Sequence, residues 1–117
     1  MANGDVIDQV MQPTQLDFCQ SWKLIEGSAA TDDGAWVDVR GFRHFSLDVS
    51  GITTATVQLR GSNATTKPAN NTHGRQIGAD ITADGLVSAE IPVRWMKARV
   101  SAYTSGTVVA HLNAVPK

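Results

Sequence analysis

Alternation of apolar and polar residues in the last quarter of the chain constrains the fold more than any other feature. In Arg94–Tyr103, Met96, Ala98, Val100 and Ala102 share one parity, while Trp95, Lys97, Arg99 and Tyr103 share the other. Successive side chains of a strand point to opposite faces, so one face packs and the other carries aromatics and positive charge. A turn at Thr104-Ser105-Gly106 leads into Thr107–Asn113, where Val108, Ala110 and Leu112 oppose Thr107, Val109 and His111. Holding Trp, Tyr, Lys and Arg together on an outward parity predicts a surface that touches a partner.

The same period runs back through the chain. Arg43–Ser50 sets Phe45, Leu47 and Val49 against His44, Ser46 and Asp48, and Thr53–Arg60 sets Ala55, Val57 and Leu59 against Thr54, Thr56, Gln58 and Arg60. Gly51-Ile52 between them reads as a hairpin connection. Further strands are expected at Phe18–Glu26, Ala35–Val39, Arg75–Ile77 and Leu86–Ile91, about eight in all at the spacing of an all-β sandwich. The stretch 61–74 is polar and aperiodic, a loop. No segment carries a sustained helical stripe. The expected fold is all-β: a two-sheet antiparallel β-sandwich, jelly-roll or immunoglobulin-like, with an extended N-terminal arm.

At 117 residues there is room for one core. The division is an arm over residues 1–15 and a sandwich domain over 16–117. Val6, Ile7, Val10 and Met11 give the arm enough apolar surface to dock on a neighbour, and Pro13 ends any helical turn there. A frayed terminus is the equally weighted reading.

A formal net charge of −1 argues against broad binding to nucleic acid or to an anionic membrane. No membrane-length apolar run and no targeting segment are visible, so the chain is expected to be made, and to stay soluble, in a cytoplasm. Cys19, the single cysteine, cannot pair internally and reads as a small apolar packing residue.

Chemistry-bearing motifs are missing. The chain has no HExxH, GxSxG or CxxC, and Gly61–Lys67 has the wrong spacing for a phosphate loop. His44, His73 and His111 are scattered, so no metal site is expected, and no cofactor. Asp80 and Asp84 read as turn residues rather than as a calcium loop. An enzyme is not expected.

Three tryptophans remain. Trp22 shares parity with Phe18 and Leu24 and reads as core. Trp36 and Trp95 fall on polar parities, which suits an interface or arm-covered position better than a sugar-stacking platform.

The pattern of Phe45–Asn63, and that of Arg94–Ser101 followed by Tyr103–Thr107, resembles small β-sandwich proteins in the virions of tailed bacteriophages. The likeness covers most of the chain after Phe18 and is one of texture: short Thr- and Val-rich strands, Gly-Ser-Asn turns and an N-terminal arm. It implies a capsid decoration or cement protein, binding the outside of a head shell, often as trimers at symmetry axes, and clamping neighbouring capsomers. No catalytic residues carry over.

The expectation is therefore a non-enzymatic virion protein whose partners are copies of itself and a major capsid protein. Its contacts would be Val6, Ile7, Val10 and Met11 of the arm, with Trp36, Trp95, Lys97, Arg99 and Tyr103 of the sheet face. The alternatives are a carbohydrate-binding module stacking sugars on Trp36 and Trp95, or a tail, head-fibre or connector component.

Overall fold

The computed structural model describes the backbone of residues 5–11 and 18–116, and the side chains of residues 19–116. Seven strands follow in order: β1 (Asp5–Met11), β2 (Phe18–Ser28), β3 (Val37–Asp38), β4 (His44–Ser62), β5 (Arg75–Ile81), β6 (Gly85–Ala89) and β7 (Trp95–Val115). All pairings are antiparallel. The all-β expectation holds.

Two of the seven strands are very long, and they organise the rest. β4 pairs with β7 from His44↔Val115 to Ser62↔Trp95. A 21-residue strand such as β7 would span roughly 70 Å if straight, yet the longest dimension of the molecule is 46 Å. The β4–β7 ribbon must therefore fold over, and its register slips mark where: Ser50/Ile52, Ile52/Thr54, Thr54/Ala55 and Thr56/Val57.

Gly51 and Gly106 sit at this crease with φ of 79° and 115°. A Cβ on Gly51 would collide with the Thr107 carbonyl oxygen, and one on Gly106 with the Gly51 carbonyl oxygen. Only glycine allows both the left-handed backbone and so close an approach of two chains. Asp84, in the connection between β5 and β6, fastens the crease, its Oδ1 accepting a 2.8 Å bond from the Ile52 amide. The Tyr103 hydroxyl donates to the Gly106 carbonyl at 2.7 Å.

Folding the ribbon makes two layers. The first runs β1-β2-β7-β4-β6 and uses the second half of β7; the second runs β3-β7-β4-β5 and uses the first half. The sandwich is thus one continuous sheet bent double. This corrects the expectation at Gly51-Ile52 and at Thr104-Ser105-Gly106, which are bends within β4 and β7 and not hairpin turns. A local Gly signal is the same in both cases; whether the next run turns back or continues depends on the strand beside it.

The inward parities meet as expected except at Ala102, which is exposed beside the crease. Leu47, Val49, Ala110 and Leu112 of one layer share a buried cluster with Val57, Leu59, Met96, Ala98 and Val100 of the other. Trp22 is core, its ring edge-on to Phe42 at 5.7 Å and 87°. A bulge after Lys23 turns Ile25 inward beside Leu24, against simple alternation. Each of the fully buried Val, Leu, Ile and Met side chains contributes about 1.5–3 kcal/mol relative to exposure. Cys19 is half-buried.

Candidate interaction surface

The outward parity of β7 divides into two very different faces. Over its first half, the segment joining β4 to β5 folds back as a lid. Asn63 Oδ1 accepts from the Arg94 amide at 3.1 Å, and the Trp95 indole N–H donates to the Ala64 carbonyl at 3.0 Å. The Trp36 indole N–H lies 3.1 Å from both the Ala69 and the Thr72 carbonyl oxygens. Arg60 Nε closes the far end on the His73 carbonyl at 2.8 Å.

Lys97 stands at the centre of this lid and is fully buried. Its Nζ reaches Asn70 O at 2.8 Å, Thr72 O at 2.9 Å and His73 Nδ1 at 3.0 Å. An ammonium has three N–H donors, and here are three acceptors. The same Nζ lies 5.0 Å from the Trp36 ring centroid, within cation–π range. Burial is the main cause of a Lys97 pKa lowered to about 8, with Arg99 and Arg60 reinforcing it and Asp33 opposing.

Accepting from Lys97 assigns the His73 ring proton to Nε2, which faces Asp33 Oδ1 at 3.8 Å. Burial, then the Lys97 charge, holds the His73 pKa below its ordinary value. Arg99 Nε lies 3.7 Å from the same Asp33 carboxylate. That pair is partly solvated and contributes little.

These contacts correct the expected docking strip. Trp36 and Lys97 have the predicted outward parity, yet both are sealed inside the monomer, so neither offers a contact surface or a sugar-stacking platform. Parity set which face they occupy; the loop 63–74 decided that the face is covered. Trp95, Arg99 and Tyr103 are half-buried, and Tyr103 is committed to the crease. The leading segment is also corrected: Asp5–Met11 is an edge strand on this chain's own β2, with Val6↔Trp22, Val10↔Cys19 and Met11↔Phe18 paired and Ile7 at a register slip. The side chains of Val6, Ile7, Val10 and Met11, and the remainder of the arm, lie outside the described residues.

What stays open is the outer face of the other layer and the strand edges. Ser21, Ser46, Asp48, His111 and Asn113 line a shallow groove there with Leu86, and Ser21 Oγ donates to Asn113 Oδ1 at 2.9 Å. Among the described residues, the large apolar side chains left exposed are Leu86, at 75%, and Ile91, at 41%. The sequence reading passed over both. The signal was present: Leu86-Val87-Ser88-Ala89 carries no charge on either parity. The described residues contain no group of three or more His, Cys, Asp or Glu placed to hold a metal.

No protein-family model matches the chain, and no curated protein sequence does. In three dimensions it is similar to the crystal structure of a protein derived from the SPBc2 prophage, YomS, with a TM-score of 0.70. The likeness covers 90% of this chain and 99% of that one at 13% sequence identity. At that identity it is the fold that is shared.

Proposed function

We propose that this chain is a non-enzymatic structural component of a tailed-phage particle. It acts as a head decoration or cement protein, binding copies of itself and the major capsid protein from the outside of the shell. One observation carries the reading: the whole fold, almost end to end, is that of a prophage-derived protein. The sequence likeness of the β4 and β7 segments to small virion β-sandwiches supports it independently.

The architecture suits such a role physically. A sheet bent double on a glycine crease encloses one continuous buried cluster, and a lysine-pinned lid closes one outer face. The open groove of the other layer is shallow and mixed in polarity, a surface suited to a broad, flat partner. Many weak contacts repeated by symmetry then sum to firm attachment. The burial of Trp36 removes one of the two platforms that the carbohydrate-binding alternative needs.

The test is sedimentation of purified protein with undecorated heads. Co-sedimentation that saturates at a fixed number of copies per shell is the expected result. Protein left in the supernatant at micromolar concentration overturns the head assignment. Labelled protein found on tails or connectors moves it to another part of the particle.

A further inference from the structure

The lid over the second layer is fastened in an unusual way. Its residues from Asn63 to Thr72 are exposed apart from the half-buried Pro68, and none of residues 63–74 belongs to the buried cluster. Its hold comes from donors beneath it. The Trp95 and Trp36 indoles, the Lys97 ammonium and the Arg60 guanidinium all donate to main-chain carbonyls of the loop. Lifting the loop therefore costs hydrogen bonds and the cover of Trp36, and leaves the core intact. An element held in this way can open while the sandwich stays folded.

One of these fastenings can be switched. Lys97 Nζ and His73 Nδ1 lie 3.0 Å apart, and one proton between them makes the bond. A second proton leaves two donors facing each other, both charged, at the same distance. The surroundings give that proton little welcome. Lys97 and Arg99 of β7 and Arg60 of β4 face the His73 ring, against the single carboxylate of Asp33 from the turn between β2 and β3. Asp32, beside Asp33, acts on Lys97 and favours its charged form.

We propose that loop 63–74 is an acid-released latch: protonation of His73 breaks its bond to Lys97, lifts the loop and uncovers Trp36 and Lys97. The closed form favours neutral His73, whereas the open form takes up its proton at the ordinary value of 6.5. The latch is therefore shut above that pH and gives way as the pH falls below it. Opening presents the strip that alternation placed on this face, with Trp36 and Lys97 now beside Trp95 and Arg99. The closed monomer hides that strip. The device belongs to the fold and does not rest on the head assignment.

Hydrogen exchange followed by NMR from about pH 7.5 to about pH 5, corrected for the intrinsic pH dependence of exchange, tests it. Protection of the Trp36 indole N–H and of the Thr72 amide, which bonds to the Ala69 carbonyl, should fall by up to about tenfold per pH unit, the limit for one proton. Amides of β4 and β7 in the first layer should keep theirs. His73→Gln retains an acceptor for Lys97 without a titrating group, and its protection should be flat with pH. His44 and His111 remain in that variant, so an acid step of theirs would survive. Lys97→Met removes the opposed charge, and should loosen the lid at every pH and abolish its acid dependence.

Wild-type protection that does not change with pH overturns the proposal. So does a fall shared equally by the first layer, which is acid unfolding of the whole chain, or an acid step that persists in His73→Gln. The His73 ring gives a reading that needs no variant: titration in the folded chain at or above 6.5 also overturns the latch.

Discussion

The two halves of β7 are one strand with one alternating pattern, yet they end in opposite circumstances. Residues 95–99 present Trp95, Lys97 and Arg99 outward beneath a lid that buries Lys97 completely. Residues 109–113 present Val109, His111 and Asn113 outward with no comparable cover among the described residues. The difference lies in what arrives from elsewhere, since loop 63–74 reaches the first half and none of its described contacts falls on the second. A strand's period names its faces. It does not say which face meets water.

The sharpest way to break the comparison is to remove the crease that separates the halves. Gly51→Val sets a β-branched residue at positive φ against the Thr107 carbonyl, and a loss of about 4 kcal/mol or outright failure to fold is expected. Chemical denaturation measures it. A near-neutral outcome would mean that the ribbon does not bend there.

Next comes the lid. Lys97→Met keeps most of the side chain's length but leaves the Asn70 carbonyl and His73 Nδ1 without their donor, and the Thr72 carbonyl with the Trp36 indole N–H alone, at a cost of about 2–3 kcal/mol. Amide exchange in residues 64–73 should quicken while residues 109–113 keep their protection. Equal quickening in both halves would show that the lid is not a separate unit.

Two pH effects follow from the same cluster. The folded His73 pKa lies below the ordinary 6.5, so the closed lid is favoured above that pH and loses stability as acid protonates Nδ1 against the Lys97 ammonium. Arg99, Arg60 and Asp33 share that field; Asp33 opposes the effect and the two arginines add to it. The folded Lys97 pKa is lowered from 10.5 to about 8, so stability rises between pH 8 and 10.5, where the unfolded chain alone holds the proton. Tryptophan emission of Trp36 against pH should follow the acid step, and His73→Gln should flatten it.

The smallest effect belongs to the open layer. Leu86→Lys should change stability by less than about 0.5 kcal/mol, because Leu86 is 75% exposed. Thermal unfolding at low concentration tests this. A large loss would mean that Leu86 packs within its own monomer.

Much of this molecule was legible beforehand. Phe45, Leu47 and Val49, then Val57 and Leu59, then Met96, Ala98 and Val100 all fell on the parity that the structure buries. Trp22 was legible as core because Leu24 shares its side. Ile25 was not, since the bulge after Lys23 leaves no mark in composition. Trp36 and Lys97 were placed on the correct face and assigned the wrong fate. The leading segment was readable as extended, but its partner, β2 of the same chain, was not.

The amino-acid order by itself determined which residues alternate, and therefore most of the strand content and the two faces, because side-chain direction in a strand depends only on the local backbone. Tertiary structure alone decided that Gly51 and Gly106 bend a ribbon and do not end a hairpin. It alone decided that Lys97 is caged, and that Leu86 is left exposed. Those outcomes depend on which distant segment comes to lie alongside, and burial is a property of that meeting and not of the residue.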